Sequence, residues 1–278
     1  MPARGYTRAT MSDLPETPRR SERHRRTRAR RPRPTGWRRW LRWAANLMIV
    51  GGVLLLAYPV GTWGYTWYEQ RQMRQELTRD HPGLATAQAA LDSRDLVPAT
   101  PPATTAGAGG TQSAPDPAET ERLAQLAAFK AAADAFVAKM GSTGTPIGRI
   151  VVPAIGLDVV MLEGTGNGDL REGPGHWPET PFPGQGGNFV VSGHRTTYGH
   201  PFFKLDKIRI GDEIDLVLPY GVAKYLVTRS IIVEPDEVQT VAQAGKEQVS
   251  LAACHPIYSA SHRIVVQGDL VAFRVVQQ

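Results

Sequence analysis

Cysteine is almost missing from this sequence: Cys254 stands alone among 278 residues. One thiol cannot close an internal disulfide, so a disulfide-stapled scaffold is excluded. What remains is a buried small side chain, an intermolecular link or a reactive thiol. Acidic residues are scarce at the front of the chain, where fourteen arginines up to Arg42 face only Asp13, Glu16 and Glu22. That surplus of +11, in a chain whose total is +6, leaves −5 for residues 43–278. The pI near 9.6 therefore describes a tail, not a basic domain. Charge of either sign is absent from Trp43 to Tyr68, and no second apolar run follows. There is no internal repeat, and His, Cys, Asp and Glu nowhere cluster at metal-ligand spacing. No metal and no organic cofactor is expected.

The uncharged run is long enough to cross a bilayer, which needs roughly 20 residues at about 1.5 Å each. Leu47 to Val60 is its most apolar part. Trp37, Trp40 and Trp43 flank one end, and Trp63, Tyr65, Trp67 and Tyr68 the other, as suits two water–lipid interfaces. Pro59 and the glycines are compatible with a spanning helix. A basic stretch such as Arg23 to Arg33 could bind nucleic acid or anionic lipid, but the apolar run directly after it argues against nucleic acid. Arginines before the span predict a cytoplasmic N-terminus and an extracellular remainder. A cleaved signal peptide is the alternative. The length of both regions and the want of a small-x-small site favour an uncleaved, single-pass anchor in the cell membrane.

Composition divides the rest. Residues 1–42 read as a disordered basic tail, 43–68 as the anchor, and 69–115 as a juxtamembrane helix, broken at His81-Pro82-Gly83, followed by a Pro/Ala/Thr/Gly-rich spacer. Residues 116–141 read as an amphipathic helix. Asp116 is the N-cap, Pro117 the first helical position, and Glu119 stands three after the cap. Leu126, Phe129, Ala133, Val137 and Met140 form its apolar stripe. Residues 145–278 turn to β. Runs at 147–153, 158–162, 188–192, 213–218, 224–234, 248–253, 263–267 and 270–276 suggest a mainly β fold, a small closed barrel or sandwich of about eight strands. The Gly/Pro-rich stretch 164–187 is too long for an ordinary connection, so it is either a functional loop or a mobile one.

The densest chemical signal is Ser250-Leu251-Ala252-Ala253-Cys254-His255-Pro256, a loop, then Arg263-Ile264-Val265-Val266. A strand ending at Cys254 and another opening at Arg263 can place the two side by side, since paired strands lie about 4.8 Å apart. A guanidinium there favours the thiolate and can donate to a tetrahedral oxyanion. The bland reading is a turn with a surface arginine. The thiol also needs a base. His24 falls in the tail and His81 in the spacer. His255 and His262 adjoin Cys254 and Arg263, so their side chains point to opposite faces. His176 can cap a turn. His194 and His200 remain, and His194, directly after the strand 188–192, is favoured by position.

Ser-Gly-His-Arg-Thr-Thr-Tyr-Gly (192–199), together with Leu-x-x-Cys-His-Pro-x-Tyr-Ser-Ala-x-x-Arg (251–263), resembles the sortases, and class E sortases most closely. Pro-Ile-Gly-Arg-Ile (146–150) is a similar opening. The resemblance covers about residues 145–278. It implies an eight-stranded β-barrel and a cysteine transpeptidase that cuts a C-terminal sorting signal between Thr and Gly. The cleaved protein is held as a thioester and passed to an amine, usually on a peptidoglycan precursor. It implies Cys254 as nucleophile, His194 as proton shuttle and Arg263 as oxyanion group. Ser250, Leu251, Ala253 and Tyr198 are candidate substrate contacts inside the matching motifs. Secreted proteins with a Leu-Ala-x-Thr-Gly-like signal would be the partners. The chain departs from the family's Thr-Leu-x-Thr-Cys at Ser250 and Ala253. Loss of a hydroxyl beside the nucleophile would cost about 0.5–1.5 kcal/mol and retune the enzyme without abolishing it.

Rival readings are weaker. A pilin-polymerising sortase would carry Asp-Pro-aromatic, but Asp116-Pro117 is followed by Ala118. An L,D-transpeptidase would place Ser-His-Gly before the cysteine. A signal-binding protein without turnover would be expected to have lost one of His194, Cys254 and Arg263.

Overall fold

The computed structural model describes residues 36–100, 116–237 and 246–276. The expectations for the basic tail before Gly36 and for spacer residues 101–115 concern residues outside these.

Helix α1 spans Gly36–Asp80, 45 residues with Pro59 inside it. Among the described residues it is the one helix long and apolar enough to cross a membrane. Large apolar side chains from Trp37 to Val60 are exposed, whereas Thr66, Met73 and Leu77 are buried. The helix stops before His81-Pro82, because proline lacks the N–H and disfavours helix in the residue before it. Helix α2 (Gly83–Ser93) follows, closed by Arg94 in the left-handed region with its N–H on Ala90 and Leu91 carbonyls. The short strand β1 is Val97–Pro98.

Helix α3 (Pro117–Lys139) starts at Asp116, whose carboxylate accepts from the Ala118 N–H at 3.0 Å. Glu119 does not complete a reciprocal cap. Its two oxygens accept from Arg122 at 2.6 and 2.8 Å instead, since a charged fork outcompetes a backbone N–H. Phe129 and Ala133 are buried as the stripe predicts, and Phe136 is buried beside them.

The β region contains β2 (Pro146–Val152), β3 (Leu157–Glu163), the short helix α4 (Asp169–Glu172), β4 (Gly175–His176), β5 (Asn188–Ser192), β6 (Glu213–Leu218), β7 (Gly221–Val233), β8 (Gln248–His255) and β9 (His262–Val275). Strands run β9-β7-β6-β2-β3-β4-β5-β8, and β8 pairs again with β9. Eight strands thus close into a barrel, with β1 added at the far end of β9. The eight are not quite the expected ones. Segments 263–267 and 270–276 are one strand, bulged where Thr228 is skipped opposite Gln267-Gly268. Gly268 fits there because a Cβ would stand 3.1 Å from the Leu226 carbonyl. The remaining place is filled by Gly175-His176, and two residues carry no readable alternation. The stretch 164–187 is therefore structured in part, holding both α4 and β4.

Alternation sorts the barrel's faces. Phe189 and Val191, Val249, Leu251 and Ala253, and Ile264 and Val266 point inward to one core. Phe129 of α3 closes on that core, its ring 5.3 Å from Phe273. On the outside, Met73 and Leu77 of α1 and Leu84 and Ala87 of α2 cover Val160, Leu162, Val217 and Val222. The C-terminal part of α1 is thus packed onto the barrel.

Candidate active site

Inward residues of β5, β8 and β9 alternate with outward ones, and the outward ones fall into level rows. Val190, Ser250 and Gln267 share one register, and Ser192, Ala252 and Val265 the next. Cys254 is paired with Arg263 across β8 and β9. On the other side β5 runs parallel to β8, with Ser192 opposite Ala252. The Gly193 N–H continues this by donating to the Ala252 carbonyl at 3.1 Å. His194 stands two residues on from Ser192, just past the last paired residues of β5 and β8. Cys254 and Arg263 thus share the outer face across β8 and β9, and His194 follows the end of the neighbouring strand β5. Trp177 lies over the row beneath, its indole N–H donating to Ser192 Oγ at 2.7 Å, packed on Ala252 and Val265.

Each of the three side chains is held. Cys254 is half-buried. Arg263 Nη1 donates to the carbonyls of Ala260 and His262, both at 2.9 Å. A guanidinium has five N–H donors, so these two bonds aim the fork and leave donors over. Burial chiefly, and then the nearby Arg171 cation, hold the His194 imidazole below its ordinary pKa. It is neutral at neutral pH and able to accept a proton.

The residue beside His194 reaches the end of β8. Arg195 is only 2% exposed. Its Nη1 donates to the Cys254 carbonyl at 3.3 Å and to His255 Nδ1 at 2.8 Å. Its Nε donates to the Phe203 carbonyl at 3.4 Å, and its Nη2 pairs with Asp206 at 2.8 Å. An arginine only donates, so His255 Nδ1 is an acceptor. The sequence assigns Arg195 no role; its place between His194 and a strand-following loop is the only signal.

The remaining expected residues divide by face. Ser250 lies on Cys254's face two rows down, but it is buried and bonded to Asn188 at 2.9 Å. Leu251 and Ala253 point into the core. A side chain at 253 therefore faces away from the thiol, and the reasoning that a hydroxyl there would touch substrate does not hold for this geometry. Tyr198 lies beside His194, ring centroids 5.1 Å apart. His200 instead sits edge-on to Phe203. His176 is no turn cap. It is fully buried, with Nδ1 2.7 Å from Glu163 and Nε2 2.9 Å from Thr180. His262 stands 3.2 Å from Glu234. Among the described residues no three His, Cys, Asp or Glu side chains are gathered as metal ligands.

Residues 150–271 match the family model described as Sortase domain. Sortase E from Streptomyces avermitilis, as a solved structure, is 32% identical over 49% of this chain and 93% of that one, with a TM-score of 0.44. This chain belongs to the sortase family. Among curated sortases, Sortase D of Bacillus subtilis is 32% identical over 46% of this chain and 66% of its own length. Sortase SrtE1 of Streptomyces coelicolor is 28% identical over 44% of this chain and 40% of its own. The chain thus spans 40–66% of the curated sortases it matches first. The match covers the barrel with His194, Cys254 and Arg263, and leaves α1, α2 and α3 outside it.

Proposed function

We propose that this sortase is a cysteine transpeptidase, with Cys254 as nucleophile, His194 as acid and base, and Arg263 as oxyanion donor. The observation that supports the reading is the cross-strand pair Cys254–Arg263, with His194 just past the end of β5, the strand on the other side of β8. In the forward step the Cys254 proton passes to His194, and the thiolate attacks the threonine carbonyl carbon of a sorting signal. Arg263 donates to the oxyanion. The C–N bond to glycine then breaks, and His194 returns its proton to the leaving amine. The product is a thioester on Sγ and a free C-terminal fragment. An acceptor amine attacks the thioester, gives its surplus proton to His194, and displaces the thiolate. Bonds and protons balance without cofactor or metal.

The partners are secreted proteins bearing a Leu-Ala-x-Thr-Gly-like signal, as in class E sortases, and an amine on a cell-wall precursor. The anchor is residues 43–68, with the arginine-rich end cytoplasmic by the positive-inside rule and the barrel extracellular. Residues 145–278 are the catalytic domain.

The test is a peptide-transfer assay on the full chain in lipid nanodiscs. Leu-Ala-x-Thr-Gly and Leu-Pro-x-Thr-Gly peptides are offered with a glycine-based amine, and products are read by mass spectrometry. A product joined through threonine, and lost in Cys254→Ala, supports the reading. A folded protein whose Cys254 alkylates readily yet yields no product with any signal or amine refutes it.

A further inference from the structure

The C-terminal part of α1 touches the barrel where His194's loop and α4 meet. Gln70 behaves like a missing strand partner. Its Oε1 accepts from the Val160 N–H at 2.8 Å, and its Nε2 donates to the Val160 and Glu172 carbonyls at 3.1 and 3.0 Å. One turn earlier, Thr66 Oγ1 donates to the Arg171 carbonyl at 3.2 Å. α4 alone is a single turn of four residues, too short to hold its own shape. Its last two carbonyls are fixed from α1.

From α4 the contact passes to the histidine. The Arg171 guanidinium lies over the Tyr198 ring, 5.5 Å from its centroid, and that ring lies 5.1 Å from the His194 ring. Tyr198, Gly199 and His200 have φ of 49°, 72° and 42°. Such a run of left-handed residues persists only when its surroundings impose it. Thr66 is one of those surroundings, since a Cβ on Gly199 would stand 2.8 Å from its methyl.

We propose that the turn Thr66–Gln70 of the anchor helix is part of the active-site scaffold, and that Arg171 is a positioning residue that transmits its placement through Tyr198 to His194. The inference rests on the reading of His194 as the acid and base. The charged group that acts on the imidazole is Arg171, and Asp169 and Glu69 act in turn on Glu172 beside it in α4. Arg195, next in the chain, is engaged by Asp206, and β8 and β9 contribute the Cys254 thiol and Arg263. Among the described residues Gln70 makes no hydrogen bond to His194, Cys254 or Arg263, and its bond to the Glu172 carbonyl is its link to α4.

The experiment uses the full chain in nanodiscs and compares Gln70→Ala, Arg171→Gln, Arg171→Lys and Arg74→Gln. Diethylpyrocarbonate reacts with neutral imidazole, so its rate at His194 against pH, mapped by mass spectrometry, gives the titration midpoint without needing turnover. Peptide transfer gives kcat and KM. In Gln70→Ala and Arg171→Gln the midpoint rises and kcat falls roughly ten- to a hundredfold, with KM little changed. Arg171→Lys keeps the midpoint near wild type. Arg74→Gln loosens a different α1 contact and leaves His194 unmoved. Unchanged midpoint and kcat in both Gln70→Ala and Arg171→Gln overturn the proposal, even if transfer itself is confirmed. Shifted midpoints in a protein that transfers no peptide uphold the coupling and refute the transpeptidase reading instead.

Discussion

Arg195 donates a hydrogen bond to the backbone carbonyl of Cys254, so the loop that follows His194 is bound directly to the end of β8. The same guanidinium meets Asp206 and the Phe203 carbonyl. Removing it leaves part-buried acceptors without that donor. Arg195→Met is expected to cost about 1–3 kcal/mol in denaturant unfolding, less than a fully buried pair because Asp206 is 28% exposed and also has Lys207. Arg195→Lys should cost less in stability. It should still slow alkylation at Cys254, because one ammonium cannot span four partners.

Arg263 invites a stricter test. Its Nη1 already serves two carbonyls, so charge alone does not describe its task. Arg263→Lys keeps the charge and loses the planar fork. We expect a fall in kcat of roughly a hundredfold or more, the size seen when one oxyanion donor is removed, with an unchanged melting temperature. Wild-type kcat in the lysine variant would remove Arg263 from the oxyanion role.

The pairing of Cys254 with Arg263 was legible because two ordinary strand rules suffice for it. Period-two alternation rejects His255, and strand pairing brings Arg263 back to Cys254. Seven of the barrel's eight strands were legible for the same reason, one of them read as two. The missing parts lack a local signature. Gly175-His176 is too short to alternate, and α2 follows a proline with no side-chain cap. Arg171 and Gln70 matter only through contacts spanning some hundred residues, which no periodicity encodes. Position 253 is a failure of consistency: the alternation that rejects His255 also turns Ala253 away from the thiol.

The docking of α1 on the barrel is apolar as well as polar. Leu77 is 2% exposed and packs in the cluster that covers β3, β6 and β7. Leu77→Ala should cost about 2–5 kcal/mol, measured by urea unfolding in detergent micelles. A fragment beginning at Asp116 leaves Val160, Leu162, Val217 and Val222 uncovered, and should unfold more readily than one beginning at Thr62. Equal stability of the two fragments would show that the α1 contact adds nothing to the fold.

Asp158 links that contact to pH. Burial would raise its pKa, but hydrogen bonds from Arg74 and Arg149 outweigh burial and leave it below the ordinary carboxylate range. Between the two values the unfolded chain binds more protons than the folded one, so stability rises with pH there. The contribution is complete above the ordinary carboxylate pKa of about 3.9 and is lost as pH falls through the folded value. Asp158→Asn should therefore be less stable than wild type at neutral pH, with the gap closing in acid. A gap that is constant across that range would assign the loss to packing rather than charge.

Ala253 separates two accounts of how this site departs from its family. If a hydroxyl at 253 met the substrate, Ala253→Thr would raise transfer by up to about tenfold, the size of one hydrogen bond. The side chain instead points into the core, 3% exposed among Leu251, Ile264 and Val266. A threonine there adds volume and a hydroxyl to an apolar interior. Without a partner that hydroxyl costs about 1–3 kcal/mol, and overpacking adds to it. The variant should melt earlier and transfer no faster, read by thermal unfolding and peptide transfer on one preparation. A variant that is faster and equally stable would place a polar partner for the hydroxyl at 253.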